Sequence, residues 1–395
     1  MKTRDMALVL VISVVPSHFF SGLAGVLSAV HNQERRFFLT SLATFSVSLV
    51  TLAALSFAGT LDLKALVLAA NAGPLCQSLV LLAPLAKDLP EADLETCREQ
   101  FAHFTNRGAF LLISQFFGQS SQPVIRALSS MLPSGSVSHF AYGDRLFSAY
   151  SAFFSQPFST IVLPALSDSA ARGHEELQRQ YSRVCRLSLF IAAPVVSLWV
   201  LLPSDAVAIL YEHGKFSSAD ASTVMRILRL YGVQVYLSMA AAPLAPVLYS
   251  AGRGDVAGRL WIAVGISNMI IGYILTRFFG TDGLAITYGI VWLLASAFVL
   301  SVIDRQLALR PEETLWTLFA QSCMGAALGI VAAIGVSWSI DAWLPAGVLG
   351  HILRLGQRAA AVLGVYIAVM WMLGSREMSY LARGMSDAFS RANRR

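Results

Sequence analysis

Long stretches of this chain carry no Asp, Glu, Lys or Arg, and their lengths cluster near the ~20 residues an α-helix needs to cross a bilayer core. In order they are 6–30, 37–61, 65–86, 108–125, 146–167, 187–204, 230–252, 260–276, 283–303, 314–340 and 359–375. The pattern predicts an all-α polytopic membrane protein with 11 transmembrane helices. The first run is too long for a removable signal peptide and lacks an A-x-A-like cleavage site, so it is expected to remain in the mature protein. Pro16 in its middle is tolerable in a membrane helix.

Composition agrees with the pattern: hydrophobic residues make up 56% of the 395 positions, charged residues 13%, and the mean hydropathy is +0.62. The formal charge of +6 would suggest nucleic acid in a soluble chain. Here the basic residues sit between apolar runs, so topology accounts for them and no nucleic-acid partner is expected. Sorting the 29 Lys and Arg onto the two sides of the membrane gives 18 with the C-terminal tail and 11 with the N-terminus. The tail, 376–395, is therefore expected in the cytoplasm and the N-terminus outside.

A gapless shift of 221 residues lays part of the chain on itself. Leu23, Ala24, Val26 and Leu27 fall on Leu244, Ala245, Val247 and Leu248, and Phe57, Gly59, Thr60 and Leu63 fall on Phe278, Gly280, Thr281 and Leu284. The first span maps to the seventh, an even displacement, so the two copies run in the same direction. The expected architecture is a parallel two-lobe bundle: a partial first lobe (1–86, three helices), an amphipathic cytoplasmic linker (87–107), a complete second lobe (108–303, six helices), a C-terminal helix pair (304–375) and the basic tail. Three spans are expected to be missing ahead of the first lobe, and restoring them would return the N-terminus to the cytoplasm. In the linker Leu94, Cys97, Phe101 and Phe104 recur at helical spacing. The segment 168–186 shows the same pattern, with Leu177, Tyr181 and Val184 on one stripe, and reads as a second surface helix.

Candidate chemistry is sparse. There is no H-E-x-x-H, no phosphate-binding G-x-x-x-x-G-K-[ST] and no carboxylate pair within a span, and the four cysteines lie far apart, so no catalysis, metal or cofactor is expected. Asp144-Arg145 is the informative exception. Pro133–Gly135 is a turn signal, and a helix from 137 to 163 would be about 40 Å long with Arg145 about 12 Å from its start. An arginine at that depth faces a wet cavity, where its planar fork suits a phosphate, or else pairs locally with Asp144 and snorkels to the interface. Gln115, Gln119 and Gln122 line a cavity or bond between helices. His18 and Asn268 read as satisfied packing residues, and Arg253 and Arg259 as topological charges.

The motifs in the connections carry a resemblance. Tyr142–Leu146 (YGDRL), Gln156-Pro157, Leu163–Ser167 (LPALS), Ala193-Pro194, Tyr211-x-x-Gly214-x-Phe216-Ser217-x-Ala219-Asp220, Leu228-x-x-Tyr231-Gly232 and Gly280-x-x-Gly283-Leu284-Ala285 resemble, in order and spacing, the MurJ (MviN) lipid II flippase family. The resemblance implies a non-enzyme transporter of the multidrug, oligosaccharidyl-lipid and polysaccharide exporter superfamily. It implies alternating access in the bacterial inner membrane, acting in cell-wall biosynthesis on an undecaprenyl-pyrophosphate-linked peptidoglycan precursor. Arg145 corresponds to the family's cavity arginine in the second lobe, and the substrate site is expected at Arg145, Asp144, Gln115 and Gln119. Further partners would be membrane lipids and cell-wall synthesis enzymes. Two alternatives stand beside it: a flippase for another polyprenyl-linked glycan, and a non-transporting membrane scaffold.

Overall fold

The computed structural model describes residues 3–34, 36–57, 63–85, 110, 113–212, 216–310, 314–345 and 347–378. No strand occurs among them. The expected linker at 87–107 and most of the basic tail lie outside the described residues. The chain divides into two compact units, Met1–Ala102 and His103–Arg395.

The first unit contains α1 (Thr3–Gln33), α2 (Phe37–Phe57) and α3 (Leu63–Leu85). In α2 and α3, most side chains are apolar and no face is distinctly polar, as expected of helices whose solvent is lipid. α3 packs against both neighbours. A Cβ at Gly73 would come within 2.9 Å of Thr51 and Val47, so the missing side chain lets α2 lie close. Toward α1, Asn71 donates to the Ser13 carbonyl (3.0 Å) and Ser78 to that of Phe20 (2.8 Å). The fully buried His31 ring nitrogen Nε2 lies 2.9 Å from the Leu81 carbonyl. In an apolar solvent such polar contacts between helices hold the trio together, because hydrophobic burial gives little drive for helix association there.

The second unit begins with α4 (113–119), α5 (Ser121–Ser129) and α6 (Ser136–Tyr150). A π-turn at Ser151–Ser155 carries α6 without a break into α7 (Gln156–Arg172). Gly173, at φ +119°, ends α7, and α8 (His174–Leu201) starts immediately. The expected surface helix at 168–186 is thus corrected: its first residues finish α7 and the rest are the opening turns of α8. Its stripe was rightly read as apolar, but Leu177, Tyr181 and Val184 are buried in a core with Leu166, Val247, Leu248 and Ala257. Protein, and not the membrane surface, covers that stripe.

Then follow α9 (Pro203–Tyr211), α10 (Ser218–Leu230), α11 (Gly232–Ala240), α12 (Leu244–Ser250) and α13 (Gly254–Val302). Although helical hydrogen bonding is nearly continuous through α13, Gly280 sits at φ 56°, ψ −130° and reverses the chain. Trp261 and Trp292, which a straight helix would hold about 46 Å apart, stack edge to face with centroids 6.4 Å apart. Two of the expected spans are therefore the antiparallel arms of a hairpin. Only glycine adopts this backbone conformation readily.

The last pair is α14 (Thr314–Ile340) and α15 (Val348–Met372), packed closely on each other. A Cβ at Gly329 would meet the Val362 carbonyl at 3.0 Å. α14 has the expected bounds, but α15 starts eleven residues earlier than the expected span at 359 and so takes in His351, Arg354, Gln357 and Arg358. Among the described residues, eight helices are long and apolar enough to cross a membrane, one of them the Gly280 hairpin. This is a multi-pass membrane protein.

A buried ionic cluster joins α15 to the start of α9. Arg358 donates through Nη1 to Asp205 (2.5 Å), through Nη2 to Asp341 (3.0 Å) and through Nε to Ser337 (2.8 Å). His351 Nδ1 lies 2.9 Å from the other Asp205 oxygen, and Gln357 donates to the other Asp341 oxygen at 2.6 Å.

Candidate functional site

Local sequence fixes where α6 begins and what it faces. Pro133 and the left-handed Gly135 (φ +94°) turn the chain, and α6 starts at Ser136. Three residues on, His139 Nε2 lies 2.8 Å from Asp220 Oδ1. Asp220 also closes the capping box of α10 by accepting from the Ser217 backbone, while Ser217 Oγ accepts from the Asp220 amide. One carboxylate thus anchors two helix starts. Below it, Tyr142 packs edge to face with Phe216 and lies 4.6 Å, centroid to centroid, from Tyr211. These are the family-like residues Tyr142, Tyr211, Phe216, Ser217 and Asp220, and here they are a brace for α6.

The helix wheel then separates Asp144 from Arg145. Asp144 is half-buried and accepts a 3.0 Å hydrogen bond from the Tyr231 hydroxyl at the junction of α10 and α11. Arg145, one residue on, is exposed and lies close enough to Tyr211 to act on it electrostatically. No Asp144–Arg145 ion pair forms among the described residues, so the local-pair reading of these two side chains is not what the geometry holds.

Arg145 belongs to an unusual helix face. Ser138, Ala141, Ser148, Ala149 and Ala152 share it, all exposed and all small or hydroxylated. α14 shows what a face open to lipid looks like in this chain: Trp316, Met324, Leu328, Val331, Ile334 and Trp338. A row of small residues around one guanidinium cannot shield it from hydrocarbon, whereas it leaves room for water.

Gln115, Gln119 and Gln122 are also exposed and recur at i, i+4 and i+7. Ser120 interrupts the helix, but its backbone stays in the right-handed helical region (φ −66°, ψ −16°), so the register carries across. Arg126 is the next member of the stripe, exposed on α5, and it acts electrostatically on Asp144. The sequence reading missed Arg126 because it lies just past the charge-free run. The spacing of four from Gln122 was the available signal. Tyr288, on the second arm of the hairpin, completes the group: it interacts electrostatically with Asp144 and Arg126, is 6% exposed, and its hydroxyl has no hydrogen-bond partner among the described residues.

The remaining candidates are structural. Asn268 donates to Ser121 Oγ and to the Val264 carbonyl, both at 3.0 Å, which is the packing role expected. His18 lies 3.2 Å from the carbonyl of Val14 on its own helix. Arg253 and Arg259 each pair with Asp255. Cys76, Cys185 and Cys323 are free thiols, and no metal-binding group of His, Cys, Asp or Glu occurs among the described residues.

Three comparisons bear on this arrangement. The chain is 30% identical over 190 residues to the probable lipid II flippase MurJ of Bdellovibrio bacteriovorus, covering 48% of this chain and 36% of that protein. It is 25% identical over 280 residues to the Vibrio cholerae protein of the same name, covering 67% and 52% respectively. It thus spans about half the length, or less, of these relatives. In three dimensions it resembles a lipid II flippase MurJ in an inward closed conformation, with TM-score 0.74 at 16% identity over 94% of this chain and 76% of that one, a likeness of fold. Residues 1–355 match the family described as lipid II flippase MurJ, and the chain belongs to that family.

Proposed function

We propose that this protein moves a polyprenyl-pyrophosphate-linked glycan, the lipid II peptidoglycan precursor, across the bacterial inner membrane by alternating access. The observation that carries the reading is Arg145, exposed among small and hydroxylated side chains on a helix of an otherwise apolar bundle. A pyrophosphate headgroup cannot cross hydrocarbon unaided, because stripping water from its charges is prohibitive. A wet face bearing a cation offsets that loss while the lipid tail stays in the bilayer, and no bond need be made or broken, so the protein is a transporter and not an enzyme. Family membership supports the substrate. Asp144, Gln115 and Gln119 would complete the site, and cell-wall synthesis enzymes would be its partners. In the same reading eleven spans form two parallel lobes with an incomplete first, and the C-terminal tail lies in the cytoplasm, following the excess of basic residues on that side.

The test is Arg145→Ala in the chromosomal gene under conditions where growth depends on flipping. The variant should fail to sustain growth while remaining inserted and abundant. Arg145→Lys should rescue in part, since an ammonium keeps the charge but loses the two-pronged fork. Full growth of the alanine variant would remove Arg145 from the site.

A further inference from the structure

One turn before Arg358 on α15 stands Arg354, and the two guanidiniums have opposite surroundings. Arg358 takes one oxygen of Asp205, one of Asp341 and the Ser337 hydroxyl. The other two carboxylate oxygens go to His351 and Gln357, so each oxygen of the pair already has a donor. Arg354 makes no hydrogen bond or ion pair among the described residues, and its half-buried side chain has Nε closed off from solvent without an acceptor. Buried donors are almost always answered, and leaving one unanswered costs more when the group is charged. The guanidinium sits at the elbow between α14 and α15. Side chains lean toward the start of their helix, and a Cβ at Gly350 would run into the Pro345 carbonyl and lie 3.8 Å from Arg354 Nη2. The missing side chain thus lets the elbow fold over the helix start with the guanidinium beside it. The surroundings are those of a lipid interface: Trp343 in the elbow is 86% exposed, Trp338 at the end of α14 is 90% exposed, and Leu349, Ile352 and Leu353 are exposed on α15. Exposed tryptophans mark the depth of the headgroups, and Arg354 lies only about 9 Å along α15 from its first residue.

We propose that Arg354 holds the phosphodiester of a membrane phospholipid at this elbow, with the acyl chains along the exposed apolar face of α15. The inference does not depend on what the protein transports. Because Nε is enclosed, the fork that meets the ligand is Nη1 and Nη2, whose parallel donors match two phosphate oxygens. A free phosphate ion would suit the same fork, but it would make no use of Leu349, Ile352, Leu353 or the indole of Trp343, which has an apolar body and a polar tip suited to the same depth. The apolar surround therefore favours the lipid as the source of the phosphate. The lipid supplies the acceptor that the chain withholds from Arg354, and it fastens the elbow to the membrane four residues from the Arg358 joint.

The test is native mass spectrometry of the full chain, titrated with dioleoyl phosphatidylglycerol and with dioleoylglycerol, which share their acyl chains and differ by the phosphodiester headgroup. Since other surfaces also hold lipid, the readout is the ratio of the two first-binding constants and its change on substitution. The wild type should favour the phospholipid by about tenfold, the scale of one charge-assisted contact. Arg354→Gln should cut that preference to about threefold or less, and Arg354→Lys should fall between, since an ammonium keeps the charge and loses the fork. Arg259→Gln, at an exposed arginine of α13, should leave it unchanged. A preference that survives Arg354→Gln, or that Arg259→Gln reduces as much, would overturn the proposal. Millimolar inorganic phosphate should leave the phospholipid bound; displacement from the wild type but not from Arg354→Gln would make this a free-anion site and overturn it too. A phosphatidylglycerol with a photoreactive diazirine on its headgroup localises the contact in the wild type, so the decision stands even if Arg354→Gln melts early. Its label should fall within 338–354, and label confined to other segments would sink the proposal.

Discussion

Two ionic clusters in the same unit are built in opposite ways. Around Arg358 every group is answered: three guanidinium nitrogens have acceptors, and both oxygens of Asp205 and of Asp341 are taken. Around Asp144 the accounting stays open among the described residues: Asp144 accepts one hydrogen bond there, from Tyr231, and the buried Tyr288 hydroxyl has no partner there. A fully satisfied buried network fixes geometry. An open one costs stability where it stands, and it persists where something outside the chain completes it. The closed cluster is therefore the joint that sets the C-terminal pair against α9, and the open one lies beside the face where we propose that the headgroup binds.

The contrast can be broken most forcefully at the joint. Arg358→Ala should destabilise the protein by about 3 kcal/mol, because it leaves the buried Asp205 and the half-buried Asp341 without their cation, and thermal melting in detergent would register it. Replacing Arg358 by Met together with Asp205→Leu and Asp341→Leu should recover much of that loss, since removing all the charges removes the desolvation problem. A triple variant as unstable as the single one would mean that the cluster acts through packing.

A smaller effect is expected at the open cluster's one fixed contact. Tyr231→Phe should cost about 1.5–3 kcal/mol, the usual worth of a hydrogen bond to a charged group, with the melt again as readout. Arg145→Ala and Gln119→Ala should each fall within about 0.5 kcal/mol of wild type, as exposed substitutions do. Their effects should appear instead in growth, severe for Arg145 and slight for Gln119. An Arg145→Ala variant that melted as early as Arg358→Ala would erase the distinction between the clusters.

The sequence pattern predicted the lipid-facing helices well because their signal is local. Thr314–Ile340 was read to the residue from its lack of charge, and Phe37 opens α2 as expected. What escaped were charges whose partners lie far along the chain. α15 was begun too late because Arg354 and Arg358 looked like loop residues, yet Arg358 is neutralised by Asp205, 153 positions away. The opening turns of α8 looked like a surface helix because their three arginines, Arg179, Arg183 and Arg186, hide a stripe that α7, α12 and α13 cover. Asp144-Arg145 stood out as a charged pair in an apolar stretch, but the sequence could not say that the two point apart. That depends on Tyr231 and Tyr211, held to α6 by contacts over more than sixty residues.

The reversal at Gly280 bears on how the protein is made. Its two arms are joined by a single residue of non-helical backbone, with no slack to let one arm settle in the bilayer while the other waits in water. A turn this tight couples the insertion of one arm to that of the other, and the missing side chain at Gly272, whose added Cβ would lie 3.4 Å from Thr287, lets the arms lie together. A side chain at Gly280 would be forced into a backbone conformation that only glycine adopts readily, so its cost is expected in the amount of protein inserted before it is felt in transport.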